Sequence, residues 1–395
     1  MGKNKSSYGK IVIIVLFITL VLGNYFQYQL SPLGPVLMKE MGLSASQFSS
    51  VFSSPMIPAI FLGIIAGMLS DKYGVKRLAA IGLAVTAVGL CIRPFATGYA
   101  SMMGTMILGG VGVTFLNVNM SKIIGGWYPP ERVGTMVGIV MVGSTLGMTV
   151  GTATTAMMPS YTFAFAVSGI AAVVVFILWV LFMKDGESEQ KAQESSLESL
   201  KIVLKSKNIW LVGLCLMCVL GCNVAVSAFL PTALQSRGIS AATSGVMASV
   251  MTVGSLLGSL LGPTVCGRMP SMKAFLIGLG AAAGVCAAFG WLGAMPIIAV
   301  SLLLAGFCIG TLIPLYMSFP MLLPEIGPRY AGSAGGAITT LELLGAVVIP
   351  TYVITPIAGE NFILMFLLAG GCMLLMCILV IFLPELQKKK SKVNS

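Results

Sequence analysis

The stretch GMLSDKYGVKR, Gly67 to Arg77, is a short polar and basic segment between two long apolar runs. The run before it covers about residues 47–69 and the run after it about residues 77–95, and a helix needs around 20 residues to cross the hydrocarbon core of a bilayer. Three basic residues lie in the stretch, and basic residues collect on the cytoplasmic side of membrane proteins. The stretch therefore predicts two transmembrane helices that are joined on the cytoplasmic side.

The rest of the chain repeats this alternation of apolar runs and short loops. Hydrophobic residues make up 57% of the 395 residues and charged residues only 9%, whereas about a quarter of the residues in soluble domains are charged. A chain in lipid must satisfy its backbone hydrogen bonds internally, which favours helices. We predict an all-α membrane protein with twelve transmembrane helices, called spans 1 to 12, at approximately residues 11–31, 47–69, 77–95, 100–124, 133–157, 161–183, 209–232, 241–266, 273–293, 296–322, 331–357 and 361–383.

The distribution of lysine and arginine predicts the orientation of the spans. If both termini are cytoplasmic, the cytoplasmic side receives 20 of the 23 basic residues, and only Lys39, Arg93 and Arg237 fall toward the outer side. This bias predicts cytoplasmic termini and a multi-pass protein of the cytoplasmic membrane. The net charge of +11 then reflects topology and attraction to anionic membrane lipids, so no nucleic-acid partner is expected.

The residue types that carry enzyme chemistry are sparse. The chain has no histidine, which removes the commonest catalytic base. The pair Cys215-x-x-Cys218 cannot complete a zinc site of four N or S ligands without further ligands, and we interpret the nine cysteines as packing residues. No nucleotide-binding loop or cofactor motif is present. We expect neither an enzyme, nor a metal, nor a cofactor.

Internal similarity divides the chain into two halves. Four matches recur at spacings of 196 to 198 residues: Val21–Gly23 with Val219–Gly221, GLSAS at Gly42 with GISAA at Gly238, Arg132 with Arg329, and Gly147 with Gly345. Parallel repeats of this kind occur in secondary transporters. We predict an N-terminal six-helix bundle at residues 1–184, a cytoplasmic linker at 185–208 with an interfacial amphipathic helix from about residue 197 to 205, and a C-terminal six-helix bundle with a basic cytoplasmic tail at 209–395.

The loop from Gly67 to Arg77 resembles the signature loop of the major facilitator superfamily. That signature is a glycine, then an aspartate, then a glycine followed by basic residues, and the matching positions are Gly67, Asp71, Gly74, Lys76 and Arg77. With the repeat, the resemblance covers the whole chain and implies two pseudo-symmetric six-helix bundles. The stretch FLPTALQSRGISAATSGVMASVMTVGSLLG, in spans 7 and 8, is similar in general character to permeases of the cyanate and small-anion branch.

The signature loop is expected to act as a gate. Asp71 lies at a cytoplasmic helix end, where it can pair with Arg132 at the start of span 5 and meet the positive N-terminus of span 11. These contacts would hold the inner side shut and break as the two halves rock. The second half has Cys266 at the position of Asp71, so the latch is predicted to be one-sided.

Small residues repeat at four-residue spacing on two spans, which lets helices approach closely. The resemblance implies that the two stripes pack against each other, across the two halves. The stripes are Gly143, Gly147 and Gly151 in span 5, and Gly254, Gly258 and Gly262 in span 8.

The resemblance implies that spans 1, 4, 7 and 10 line the solute path. Buried amides and hydroxyls in lipid require partners, so polar residues there either bind a solute or tie helices together. We favour solute binding for Asn24, Gln27, Asn117 and Asn223 and leave both interpretations open for the rest. The candidates for the path are Asn24, Gln27, Tyr28, Asn117, Asn119, Lys122, Asn223, Ser227 and Tyr316.

Several departures from family patterns leave the solute's charge open. Exporters of the family carry a proline after the glycine at position 151, where this chain has Thr152, and many proton-coupled members carry an arginine at the position of Met106. The arginines of nitrate-type and oxalate-type members are absent from spans 2 and 8. Lys122 and Arg93 lie near span ends, where we expect both to extend to the membrane interface.

Glu342 is the one acid predicted to lie deep in the membrane. It follows Arg329 by 13 residues, which is roughly 20 Å of helix. A carboxylate at that depth, without a basic residue nearby, is expected to take up a proton near neutral pH. Glu342 is therefore a candidate for proton coupling or a counter-ion for a cationic solute; the alternative is a permanently protonated side chain bonded to a backbone carbonyl.

Together these features predict a monomeric secondary transporter. It would move a small organic solute, an organic anion among the options, by rocker-switch alternating access, with a proton or counter-solute as the energy source. One alternative is a proton-antiport exporter of drugs or metabolites. A second is a receptor-like protein that kept the fold without transport, because a fold does not fix a function.

Overall fold

The computed structural model describes residues 3–184 and 202–386. Within those ranges the regular secondary structure is helical, without strands, and eleven helices are long and apolar enough to cross a membrane. Residues 202–205 are helical, but most of the predicted linker and its amphipathic helix lie outside the described residues. The chain is a multi-pass α-helical membrane protein.

The first six predicted spans correspond to consecutive helices. Span 1 is divided in two, and so is span 2. The helices are Lys3–Tyr28 and Leu30–Glu40 for span 1, Ala45–Ser53 and Ile57–Tyr73 for span 2, Val75–Ile92 for span 3, Tyr99–Gly125 for span 4, Pro130–Thr154 for span 5 and Tyr161–Phe182 for span 6.

The last six predicted spans are also helices. Span 11 ends in a short π-helical segment, Ile349–Ile354, which the helix Thr355–Ala358 follows. The main helices are Lys207–Ser236 for span 7, Ala241–Cys266 for span 8, Met272–Phe289 for span 9, Met295–Leu322 for span 10, Gly327–Val348 for span 11 and Phe362–Ile381 for span 12.

Span 2 explains why the structure has eleven long apolar helices where the sequence predicts twelve spans. A single 3-10 turn, Ser54–Met56, separates helices of 9 and 17 residues. Pro55 lies in this turn and has no N–H to donate to a preceding carbonyl. The two pieces still cover the predicted span at residues 47–69, so span 2 is an interrupted span.

The chain forms two compact units. Unit 1 comprises Met1–Gln193 together with Pro231–Ser249, and unit 2 comprises Glu194–Leu230 and Val250–Ser395. The segment Pro231–Ser249 comes from the adjoining ends of spans 7 and 8. Within unit 1, Gln235 Nε2 of this segment donates a hydrogen bond of 3.1 Å to the carbonyl oxygen of Pro32.

The glycine stripe of span 5 packs against span 1. A Cβ atom on Gly147 would overlap the carbonyl oxygen of Val21, and a Cβ on Gly143 or Gly151 would press on the carbonyl oxygen of Phe17 or Tyr25. Glycine is thus needed because the two backbones touch. The stripe itself therefore faces span 1 and not, as was expected, the glycine stripe of span 8. Span 5 does meet span 8 within unit 1, but at Thr152, whose carbonyl oxygen a Cβ on Gly245 would overlap.

The stripe of span 8 packs within unit 2 in a similar way. A Cβ on Gly254 or Gly258 would overlap the carbonyl oxygens of Leu303 or Phe307 in span 10. Gly345 of span 11 likewise lies against the carbonyl oxygen of Met217 in span 7. Gly345 is the repeat partner of Gly147, so the same close helix contact occurs at the same place in each unit.

Candidate functional site

The candidate path residues of span 1 divide into bonded and weakly bonded groups. Gln27 is 5% exposed, and its Nε2 donates a 2.9 Å hydrogen bond to the carbonyl oxygen of Phe52 in span 2. Tyr28 is buried with its ring 5.4 Å from that of Phe52. Asn24 is half-buried, and among the described residues its amide donates to Leu20 O of its own helix, at 3.2 Å, and to no other helix. Asn24 is therefore the span 1 amide that is best placed to bind something other than a neighbouring helix.

The two asparagines of span 4 point in different directions. Asn117 is exposed, whereas Asn119 is 3% exposed and donates to Phe115 O at 2.9 Å. Residues two apart in a helix lie on nearly opposite faces. Asn117 and Asn119 therefore cannot both line one path. The structure places the side chain of Asn119 in the packed interior of unit 1. Lys122 is half-buried near the end of the same helix.

Span 7 carries a small polar cluster in unit 2. Asn223 is half-buried, and Ser227 Oγ, one turn later, lies 3.4 Å from Asn223 Oδ1 and donates to it. Asn223 corresponds to Asn24 in the internal repeat to within one or two positions. Each unit thus holds one half-buried asparagine at about the same level of its first span.

Tyr316 of span 10 does not behave as a path residue. It is 0% exposed, and its hydroxyl donates to Met376 Sδ of span 12 at 2.9 Å. A hydroxyl in an apolar interior must find a partner, and this one finds it in the helix packing of unit 2. The prediction that Tyr316 lines the solute path is therefore corrected to a packing role.

Glu342 lies in the C-terminal half of the helix Gly327–Val348 and is 9% exposed. Among the residues whose side chains the structure describes, none forms a hydrogen bond or an ion pair with it. Its helix neighbours toward the interior, Ile338 and Ala346, are fully buried. An isolated charge in such surroundings is strongly unfavourable, so the carboxylate can be accommodated by taking up a proton or by meeting a cation that arrives from outside the unit.

The signature loop is built around one glycine. Helix Ile57–Tyr73 is followed directly by Gly74, whose φ of 86° lies in the left-handed region that favours glycine. Trp179 Nε1 of span 6 donates to Lys76 O at 3.1 Å and so attaches the loop to unit 1. Arg77 and Arg132 are exposed. The surroundings of Gly67 and the side chain of Asp71 lie outside the described part, so the pairing of Asp71 with Arg132 stays a prediction.

Sequence reasoning also placed Arg93 wrongly. We expected it to extend to the membrane interface, but it is 0% exposed and stacks 3.9 Å above the ring of Phe165. Its guanidinium donates to Phe26 O, Gln29 Oε1 and Ser168 Oγ. The available signal was weak: Arg93 precedes a proline and is one of only three basic residues predicted on the outer side.

Comparison with known families identifies the class of protein. Residues 13–350 match the family model described as Major Facilitator Superfamily. Because the match covers most of the chain, the protein belongs to that superfamily. The chain is therefore a secondary transporter and not an enzyme.

The most similar relatives include transporters with named solutes. The chain is 26% identical to the hexuronate transporter of Bacillus subtilis over 181 residues, which are 45% of this chain and only 43% of that relative. It is 24% identical over 80% of each chain to an uncharacterized transporter of Bacillus subtilis, YycB. It is 23% identical to the cyanate transport protein CynX of Escherichia coli over 67% of this chain and 70% of CynX.

Solved structures agree on the fold. The nucleoside transporter NupG superposes with a TM-score of 0.77 at 16% identity and covers 95% of this chain and 98% of its own. The D-xylose-proton symporter gives a TM-score of 0.74 at 14% identity over 96% of this chain and 99% of its own. At such identities the likeness shows a shared fold and carries no information about the solute.

Proposed function

We propose that the chain carries a small organic solute across the cytoplasmic membrane by alternating access, and that transport is coupled to protons through Glu342. The observation that carries this proposal is a carboxylate deep in span 11 that has no bonding partner in the described part of unit 2. A group that is stable only when neutral or paired can change its state during a transport cycle. The carrier works as a monomer with both termini in the cytoplasm.

The first solute class to test is the organic anions. Two relatives are named for anionic solutes, a hexuronate and cyanate. The half-buried Asn24 and Asn223 offer amide donors, and Lys122 offers a positive charge at the end of span 4. Amide and ammonium donors are the groups that bind a carboxylate. A proton taken up by Glu342 would offset the negative charge that such a solute brings.

The test is flux into proteoliposomes under an imposed pH gradient. The wild type is screened with glucuronate, cyanate, organic amines and sugars, and Glu342→Gln, which mimics the protonated carboxyl, is measured with the solute that the wild type carries. We expect Glu342→Gln to abolish pH-driven accumulation while solute exchange at equal pH continues. Glu360→Gln is the matched control, because Glu360 is an exposed acid of the same unit.

Three outcomes contradict parts of the proposal. Wild-type pH dependence in Glu342→Gln would show that Glu342 carries no proton in the cycle. If Glu342→Gln loses both solute exchange and pH-driven accumulation, Glu342 is a binding or structural group. Binding of solutes without flux of any of them would favour the receptor-like alternative.

A second candidate is export of a cationic solute in exchange for protons. It rests on the same observation, because a buried carboxylate without a basic partner can pair with a cationic solute. The two candidates differ in the direction of coupled proton movement. Movement of an anionic solute and protons in the same direction identifies symport. Movement of an organic amine and protons in opposite directions identifies the exporter.

A further inference from the structure

The guanidinium of Arg93 joins spans 3, 1 and 6 inside unit 1. Nη1 donates to Phe26 O at 2.8 Å and, more weakly, to Met106 Sδ of span 4 at 3.5 Å, and Nη2 donates to Gln29 Oε1 at 2.5 Å and to Ser168 Oγ at 3.0 Å. Gln29 Nε2 donates in turn to Ala164 O of span 6 at 2.9 Å. Two successive turns of the buried side of span 1 are therefore bonded to the helices behind it.

These bonds fall where span 1 is interrupted. Its first helix ends at Tyr28, its second begins at Leu30, and Pro32 lies in the first turn of the second helix. Pro32 has no N–H to donate to the carbonyl of Tyr28, and proline inside a helix is a usual cause of a kink. Where the helical ladder is incomplete, bonds to neighbouring helices determine the direction in which the chain continues.

The energetics of Arg93 do not suit a purely stabilising role. It is fully buried, all its hydrogen-bond acceptors are neutral, and its Nε has no partner. No carboxylate in the described part of the chain pairs with it. Apolar replacements of buried ionic groups often leave stability unchanged or raise it. An apolar side chain could fill this space beside Phe165, but it could not hold Phe26 and Gln29.

We propose that Arg93 is a positioning residue. It fixes the outer part of span 1, Leu30–Glu40, relative to the inner part, and thereby sets where Asn24 of the inner part presents its amide. The effect on span 1 does not depend on any solute, whereas the effect on solute binding rests on the proposed function. The two effects can therefore be measured separately.

The first measurement is hydrogen–deuterium exchange of the full chain in lipid nanodiscs, beside thermal unfolding. We compare wild type with two variants. Arg93→Met keeps the apolar stem and removes every side-chain donor, and Arg93→Lys keeps the charge but offers one nitrogen in place of the three nitrogens of the guanidinium. In Arg93→Met we expect exchange of the amides between residues 28 and 34 to rise roughly tenfold or more, while exchange in the parts of spans 3 and 4 away from Arg93 and Met106 stays at the wild-type rate. Arg93→Lys should fall between the two.

The matched control is Thr86→Val on the same span. Thr86 Oγ1 donates to Gly109 O and accepts from Gly112 N–H, both at 3.0 Å. This variant therefore also removes buried hydrogen bonds of span 3, but they run to span 4 and not to span 1. We expect no change at residues 28–34 in Thr86→Val. Faster exchange throughout unit 1 of Arg93→Met, or failure of both Arg93 variants to accumulate, would show that Arg93 serves folding and would overturn the proposal. Unchanged exchange at residues 28–34 would overturn it as well.

The second measurement is transport of the solute that the wild type carries in the proteoliposome screen. We expect Arg93→Met to raise its half-saturation concentration roughly tenfold, with a smaller change in maximal rate, because a shift of about 1 Å in a binding group has effects of that size or more. Arg93→Lys should recover part of the loss. If the half-saturation concentration is normal although hydrogen exchange at residues 28–34 is faster, Arg93 determines the shape of span 1 but has no role in solute binding. Absence of any transported solute would contradict the proposed function and leave the exchange result standing.

Discussion

The two units share a packing plan but hold their buried charges differently. In each unit a repeat-related glycine, Gly147 or Gly345, brings a helix into backbone contact with the first span of that unit. Unit 1 then buries Arg93 among four hydrogen-bond acceptors and an aromatic ring. Unit 2 buries Glu342 with no partner in the described part of the chain. The scaffold is therefore repeated, and the polar groups placed on it are not.

This difference indicates two different roles for a buried charged residue. A charge whose bonds all go to fixed atoms of the protein, as those of Arg93 do, locks helices in place. A charge without such bonds, like that of Glu342, is free to change its protonation or to meet a ligand. Substitutions at both positions can test whether bonding is what separates the two residues.

The largest expected effect is on stability when each charge is truncated. Arg93→Ala leaves several buried acceptors unpaired and opens a cavity, so we expect it to lower the free energy of unfolding by about 3 kcal/mol or more. Glu342→Ala removes only side-chain packing and should cost about 1 kcal/mol. Thermal unfolding of both purified variants in the same detergent measures the difference. If both variants lose the same free energy of unfolding, Glu342 has bonding partners too, and the proposed difference between Arg93 and Glu342 is wrong.

The second prediction tests whether the packing plan is truly shared. Gly147→Leu and Gly345→Leu each place a side chain on a neighbouring backbone, and overpacking costs typically 1 to 3 kcal/mol, so we expect each to lose about 2 kcal/mol. Gly104→Leu and Gly371→Leu are the controls, since a Cβ at either position meets no atom within 4 Å. The thermal unfolding midpoint measures all four. A loss in one unit only would show that the two contacts are not equivalent.

Much of the fold could be predicted from the sequence because lipid leaves few options. Apolar runs of membrane-spanning length must be helices, and all twelve predicted spans lie on helices of the structure. The interruption of span 2 at Ser54–Met56 was not predicted, although Pro55 marks it. The partners of the glycine stripes were also missed, because four-residue spacing shows that a helix approaches closely but not which one.

The candidate site was predictable only in part. Glu342 stood out because a lone acid in an apolar run has few explanations, and its burial agrees with that reasoning. Arg93 was missed because an arginine near a span end usually extends to the interface, and the sequence does not reveal acceptors as distant as Phe26 and Ser168. Tyr316 was misplaced for a related reason: the face that a helix turns toward a path depends on its packing, and the repeat does not fix that face for span 10.

The smallest expected effect concerns the signature loop, where the halves differ in sequence. Asp71 in the first half has Cys266 as its counterpart in the second, and Cys266 is buried at the end of the helix Ala241–Cys266. A carboxylate at a helix end can gain from an ion pair with Arg132 and from a helix N-terminus, each contributing up to about 1 kcal/mol. Losing one of these interactions should therefore slow transport by about fivefold, and losing both by about 30-fold at most.

Asp71→Asn and Cys266→Ser test this asymmetry as a matched pair of near-isosteric changes. We expect Asp71→Asn to reduce the initial rate of solute uptake while thermal unfolding and membrane abundance stay at the wild-type level, because the charge acts between conformations and not in the packed interior. Cys266→Ser should leave the rate within about twofold, since a neutral thiol gives up no ion pair. Reductions of equal size would mean that both loops gate transport, and an unchanged rate in Asp71→Asn would remove the latch from the first half as well. In either case the asymmetry between the units would be confined to Arg93 and Glu342.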